Sequence, residues 1–437
     1  MVKNMFMFQP EIWGGIECTI NRVNDKFFDQ LEFANHYARR SDIDLIASSG
    51  IKSLRFPVLW EKHQPNLRDQ ICWDWAESSL KKIKELNITP IIGLLHHGSG
   101  PAFTDLLDPD FPNLFADYAY QVAKKFPFIE YYMPINEPLT TARFSGLYGY
   151  WYPHKKNSYL FARILLNQLK AIVLAMKKIR LVNKNAKLIQ TEDLGKTYST
   201  PALQYQADFE NIRRWLTYDL LFGEINTLHP MYQYFIYLGF TPKELSFFIN
   251  DPCPPDIVGV NYYITSERFL DDRIEIYPST APGGNGKHRY VDVEAIRVPH
   301  EFNSGLELLL SECWERYKTE IALTEIHLNC HSEQQLCWFN QAFNTCVQLK
   351  QQGVNIKAIT AWALLGAFGW SKLMTAGKGE YESGVFDIAS GKPTPTSLYH
   401  LIKSYNHPEE KKFLIEDGVG WWQMDSRFYK NLLLATE

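Results

Sequence analysis

The chain has 437 residues, 46% hydrophobic and 14% aromatic, with a formal charge of −4. That length and apolar content can bury a large core, and they exceed the roughly 250 residues of a minimal (β/α)₈ barrel by enough for long loops. The balance of charge supplies no basic field for nucleic acid, and the longest charged block is Glu409 to Lys412, so a neutral or modestly charged substrate is expected.

In chain order, Met1 to Pro10 has too short an apolar stretch for a signal peptide and no small-residue cleavage site, and no later run approaches membrane-spanning length. A cytoplasmic protein without membrane contact is expected. Apolar, β-favouring runs predict eight strands, at Phe6 to Ile16, Ser53 to Val58, Thr89 to Leu95, Tyr131 to Ile135, Ala186 to Gln190, Asp256 to Tyr263, Glu320 to Thr324 and Ala358 to Leu364. Between them, apolar residues at three and four spacing predict helices at Arg39 to Ser49, Ala76 to Leu86, Phe115 to Phe126, Leu160 to Asn183, Phe302 to Tyr317 and Glu333 to Gln352. Such alternation without a break in composition reads as α/β, one (β/α)₈ TIM barrel domain over residues 1–437 with elaborated active-site loops.

Pro and Gly cluster at Asp251 to Pro255, before the sixth strand, and at Ala281 to Gly286, after it. Loops that follow strands form the functional face of such a barrel, so the second cluster predicts a rim of a substrate cleft. The seven cysteines, 18, 72, 253, 313, 330, 337 and 346, are odd in number and contain no Cys-x-x-Cys pair. That spacing argues against a disulfide framework and a structural zinc site, and predicts mostly buried reduced thiols.

Two glutamates close apolar strand-like runs: Glu137, after Tyr131 to Asn136, and Glu325, after Ile321 to Thr324. A carboxylate at the end of a buried strand costs desolvation energy unless it is paired or does chemistry, and carboxylates facing each other across a cleft are what glycoside cleavage uses. Other polar residues end the same strands: Arg55 the second, His96 and His97 the third, Asn136 the fourth, Asn261 and Tyr263 the sixth, and Trp362 the eighth. All should converge on one mouth.

With these residues placed, the chain resembles glycoside hydrolase family 1, the β-glucosidase and β-glycosidase family. The resemblance is carried by Ser53 to Trp60, Leu95-His96, Ile135 to Pro138, Asp256 to Tyr263, Thr324-Glu325 and Trp362 to Trp370, in the family's order. It implies a retaining β-glycosidase with Glu137 as general acid/base and Glu325 as nucleophile, Arg55 and Tyr263 holding the nucleophile's anion, and Asn136 over the sugar's 2-hydroxyl. It also implies sugar contacts from His96, Asn261, Trp362 and Trp370, and from Asn21 or Glu17 on the first strand. No cofactor and no metal are implied; the substrate is a small-molecule or oligosaccharide glycoside, and no protein partner is indicated.

Departures from the family's pattern bear on the sugar. Where the family's eighth-strand loop has Asp-Asn and then a Glu that grips the 4- and 6-hydroxyls of glucose, this chain has Gly366-Ala367 and Gly369. A pocket without those groups predicts a deoxy or decorated sugar. The family's Trp after the third-strand His becomes His97-Gly98, and the residues after Glu325 become Ile326-His327. Lys372, Lys378 and Tyr381 suggest a phosphoglycosidase, with Gly369 standing where the phosphate-binding Ser would be. A transglycosidase would use the same intermediate, and loss of the glucose clamp also motivates a non-catalytic glycan-binding barrel, against which the intact Glu137, Asn136, Arg55, Tyr263 and Glu325 argue. For His327 and His331 a loop role is favoured over metal binding, and Trp151, Trp421 and Trp422 read as core.

Overall fold

Eight parallel strands close into a barrel in the order in which they occur along the chain: β1 (Glu11–Gly15), β2 (Ser53–Pro57), β3 (Thr89–His96), β4 (Tyr131–Asn136), β5 (Lys187–Asp193), β6 (Ile257–Tyr262), β7 (Ile321–Ile326) and β8 (Ile356–Ala361), with β8 paired back to β1. Each lies within a residue or a few of its predicted run. The structure is a computed structural model that describes residues 8–66, 70–279, 281–299, 303–407 and 418–429. Phe6, Met7, Phe302 and the block Glu409 to Lys412 lie outside those residues.

The strands alternate with outer helices α1 (Asp42–Ser48), α2 (Asp74–Glu85), α3 (Phe111–Lys125), α4 (Ser158–Val182), α5 (Pro242–Asn250), α6 (Leu306–Tyr317), α7 (Ser332–Gln351) and α8 (Ser397–Asn406). α4 shows why: Phe161, Leu165, Leu169, Ile172, Met176 and Ile179 recur at three and four spacing and are buried, and the side chain of Asn157 caps the first turn at Leu160 N, 3.1 Å away. With 25 residues α4 is, by length and apolar content, long enough to cross a membrane, which corrects the reading that no run approaches that length. Most of it is buried against the protein, and the helix serves as part of the barrel's outer layer.

Inside the barrel, Trp13, Ile91, Met133, Ile189, Ile257, Ala322 and Ala358 form one closed apolar layer. On six of these strands the residue two positions further along is small, Gly15, Gly93, Thr191, Gly259, Thr324 and Thr360, while β4 has Ile135 there. Arg55 of β2 stands in register with Gly15 and Ile91 and reaches the Thr324 carbonyl across this layer.

The segment after β6 is more ordered than a rim loop. Arg268–Asp271, Arg289–Glu294 and Gly283–Gly284 join Thr197–Ser199, from beyond β5, in a small sheet that includes the predicted Ala281 to Gly286 loop. All seven cysteines are free thiols, and four of them, Cys18, Cys253, Cys313 and Cys346, are buried.

Candidate active site

The two strands that end in the glutamates both break register just before them. β7 shifts between Leu323 and Glu325 against β6, and β4 between Tyr132 and Asn136 against β5. Such irregularities re-aim a side chain. Glu137 itself takes a left-handed conformation at φ +44°, which costs a residue with a side chain about 1–2 kcal/mol unless its surroundings fix it.

Arg55 crosses the barrel from β2. Its Nη1 donates to the Thr324 carbonyl and lies 3.0 Å from Glu325 Oε1, an ion pair, and its Nη2 donates to Asn136 Oδ1 at 3.1 Å. The Tyr263 hydroxyl donates to the other oxygen of Glu325, Oε2. Glu325 therefore has a cation on one oxygen and a hydroxyl donor on the other, and both favour its anion. Burial acts in the opposite direction and is larger, so the carboxyl is pushed up to about 7.

Asn136 fixes the rest of the site. Its Oδ1 accepts from Arg55 Nη2, from Thr191 Oγ1 at 2.7 Å and from Asn261 Nδ2 at 3.3 Å, so its Nδ2 must be the donor to His96 Nε2 at 3.2 Å and to His97 Nε2 at 3.3 Å. Both imidazoles then carry a bare Nε2 and are neutral. His97 has its remaining N–H, on Nδ1, 3.0 Å from Thr141 Oγ1. Burial, with the Arg55 charge nearby, pushes His97 down to about 3 and His96 well below its ordinary range.

Glu137 sees a different environment from Glu325. Its Oε1 accepts from Asn261 Nδ2 at 2.6 Å, and its Oε2 is 3.7 Å from the bare Nε2 of His97, with no Lys or Arg paired to it among the described residues. Burial first, then the neighbouring carboxyls of Glu325, Asp193 and Glu192, raise its pKa well above the carboxylate range. One buried carboxyl is thus built to hold a proton and the other to release one.

The aromatic residues divide. Trp362 is buried, stacked on His96 at 5.5 Å with 8° between the planes, and the Arg55 guanidinium carbon lies 4.4 Å from its ring centre. Gly15 makes room for it: a Cβ there would lie 2.4 Å from the indole. Its faces are engaged by protein rather than open as a platform. Trp370 is half-buried beside His97, with its ring N–H on Glu17 Oε2 at 3.1 Å, and Glu17 Oε1 is held by Thr19 N and Thr19 Oγ1 at 2.9 and 2.6 Å. Asn21 joins none of these groups; its Nδ2 donates to the Met374 carbonyl at 2.9 Å and ties down the loop after β8. A small recess is lined by Arg55, Gly93, Leu95, His96, Asn136 and Trp362.

The replaced loop has a structural reason. Ala367–Phe368 pairs with Tyr381–Glu382, Gly366 (φ +74°) would put a Cβ 2.2 Å from the Glu382 carbonyl oxygen, and Gly369 (φ +72°) packs so that a Cβ on Gly379 would lie 2.5 Å from its Cα. A side chain at Gly366 or Gly379 would meet backbone, whereas at Gly369 the left-handed φ is the obstacle, with a Cβ there 3.1 Å from the Lys378 carbonyl oxygen. Tyr381 OH is 3.3 Å from the Leu365 carbonyl and 3.0 Å from Ile388 N, and Lys378 Nζ sits 4.3 Å above the Phe368 ring. His327 is 3.2 Å from Glu382.

Sequence reasoning brought Arg55, His96, Asn136, Glu137, Asn261, Tyr263, Glu325 and Trp362 to one mouth, and the structure places them together. It missed Thr191, which orients Asn136, and Trp151, which packs 5.2 Å from His97 and 6.3 Å from Trp370. Only the aromatic run Tyr150-Trp-Tyr152 hinted at the latter. His97, expected at the same mouth, lies there too and faces Glu137.

The pattern of Glycosyl hydrolase family 1 matches residues 18–379. Beta-glucosidase A of Thermotoga maritima is 22% identical over 374 residues, 77% of this chain and 79% of that protein. The 6-phospho-beta-galactosidase of Staphylococcus aureus strain N315 is 22% identical over 402 residues, 78% of this chain and 81% of its own length. Among solved structures, the beta-glucosidase from Thermotoga maritima in complex with azafagomine superposes with a TM-score of 0.71 at 18% identity, covering 92% of this chain and 97% of that one. A match over most of the chain, on a closed barrel, makes this protein a glycoside hydrolase of glycosyl hydrolase family 1.

Proposed function

We propose that the protein cleaves a β-glycoside by double displacement. Protonated Glu137 gives its proton to the glycosidic oxygen while the Glu325 carboxylate attacks the anomeric carbon, so the aglycone leaves as an alcohol and the sugar is esterified to Glu325. Glu137, now ionised, takes a proton from water, the resulting hydroxide attacks the same carbon, and Glu325 is released with net retention. Arg55 and Tyr263 stabilise Glu325 as nucleophile and then as leaving group.

The observation that carries this reading is the unequal treatment of the two buried carboxyls: a cation and a hydroxyl donor on Glu325, against an amide and a bare imidazole nitrogen on Glu137. The β-glucosidases and 6-phospho-β-galactosidases among the relatives support a β-glycoside as substrate. The backbone crossings at Gly366 and Gly369 support a sugar that is deoxygenated or decorated where glucose carries its 4- and 6-hydroxyls. A phosphosugar is disfavoured, because the Tyr381 hydroxyl is engaged with backbone.

Intact-protein mass after incubation with activated 2-deoxy-2-fluoro β-glycosides, including 6-deoxy sugars, tests this. The fluorine slows breakdown of the glycosyl-enzyme, so an adduct mapped to Glu325 is expected. An adduct mapped to another residue, or inversion in the product of any turned-over glycoside, refutes the assignment.

A further inference from the structure

Behind the turn that carries Glu137 lies a carboxyl that the double displacement does not use. Glu192, fully buried near the end of β5, accepts from Leu139 N at 2.8 Å, Thr140 N at 3.2 Å, Thr140 Oγ1 at 2.9 Å and Thr217 Oγ1 at 2.7 Å. Leu139 and Thr140 open the short helix Pro138–Ala142 that starts immediately after Glu137, so their N–H groups have no partner within that helix. Thr191, the preceding residue of β5, grips the other side: its carbonyl accepts from Glu137 N at 3.2 Å and its hydroxyl donates to Asn136 Oδ1. Glu137 is therefore held in its left-handed conformation by contacts from consecutive residues of one strand.

We propose that Glu192 is a positioning residue for the acid/base carboxyl, locking the turn 137–140 so that Glu137 is aimed at the glycosidic oxygen. The proposal rests on the reading of Glu137 as acid/base. A neutral capping residue would not serve equally well. All four partners of Glu192 are donors, and two of them are backbone N–H groups that cannot turn away. An amide in its place puts a donor against a donor, whichever way it faces. Arg143 stands beside the cluster, donating to Thr140 Oγ1 at 3.1 Å, and its charge offsets part of the burial that pushes Glu192 up to about 7.

The test is Glu192→Gln, with Thr217→Val as a second variant that removes one donor and leaves the carboxyl in place. For the sugar that labels Glu325, kcat/KM is measured on two aryl glycosides, one with an activated leaving group such as dinitrophenol and one with unsubstituted phenol. Only the second needs the proton of Glu137 when the bond breaks, and a general acid supplies about 10²–10⁴-fold. The expected result is a loss of about tenfold or more on the phenyl glycoside and at most about threefold on the dinitrophenyl one, with Thr217→Val showing the same pattern more weakly. Equal losses on both substrates mean a merely structural residue and overturn the proposal, as does Glu192→Gln with unchanged rates. If Glu192→Gln does not fold, the leaving-group dependence of Thr217→Val decides by the same criterion. Wild-type protein that turns over neither substrate would sink the acid/base reading itself, an outcome distinct from these.

Discussion

Replacing Tyr263 by Phe deletes one hydroxyl and little volume, and it should move the pH at which the nucleophile ionises. Glu325 is pushed up to about 7 because burial outweighs the Arg55 charge and the Tyr263 hydrogen bond, which both pull it down. A hydrogen bond to a charged group contributes about 1.5–3 kcal/mol, and one pKa unit corresponds to 1.36 kcal/mol, so loss of the hydroxyl raises Glu325 by about one to two units. The sign follows: a weaker anion means more protonated nucleophile at a given pH. The ascending limb of kcat/KM should move from near 7 towards about 8–9, with a loss of about tenfold to hundredfold at pH 6 that shrinks as pH rises. The assay is kcat/KM against pH on an activated aryl glycoside, where protonation of the leaving group does not matter. A limb that stays in place, or moves to lower pH, would show that the Tyr263 hydroxyl is not what stabilises the anion.

Two glycines of the barrel interior should behave oppositely. Gly93→Ala meets no atom within 4 Å and should stabilise by about 0.4–1 kcal/mol, whereas Gly259→Ala places its methyl 2.7 Å from Thr191 Cγ2 and 2.8 Å from the Gln190 carbonyl oxygen and should cost about 1–3 kcal/mol. Urea unfolding decides, and the reverse order would contradict the packing described. Glu61 is buried, accepts from Gly100 N at 3.1 Å and is pushed up to about 8 by burial, so the stability it contributes is present below the ordinary range near 4.5 and is lost as pH rises through 8. Glu61→Gln should therefore flatten the fall in melting temperature between pH 5 and pH 9; an undiminished fall removes Glu61 as its source. Gly369→Glu, which restores the residue typical of the family, should destabilise by about 1–2 kcal/mol from its φ of +72° and gain no glucosidase activity. Glucose turnover by a stable Gly369→Glu protein would refute the account of that loop.

The barrel was legible because parallel strands covered on both faces are continuous apolar runs, and β3 and β6 stand out for that reason. Polar residues that interrupt such runs near their ends, Asn136, Asn261 and Thr324 among them, had to face the mouth or one another. What sequence spacing does not carry is which polar group meets which. Asn21 lies in the right region, yet its amide holds a carbonyl 353 positions away, and Glu192 reads as one acidic residue in a polar stretch until the fold sets it beneath Leu139 and Thr140. The sheet of Thr197–Ser199, Arg268–Asp271, Gly283–Gly284 and Arg289–Glu294 was invisible for another reason: its members are two to six residues long and joined across the gap between β5 and β6, so no local period announces them. Trp362 fell between these cases. Its place at the end of β8 was readable, but the stacking of His96 on it was not.

The hairpin of Ala367–Phe368 and Tyr381–Glu382 brackets the segment from which the Trp370 side chain reaches His97. The position of that side chain is set by the path of the whole segment, which crosses itself where Gly379 meets Gly369. Residues 366–382 therefore change most readily as a block, since a side chain at Gly366 alone would meet the Glu382 carbonyl oxygen.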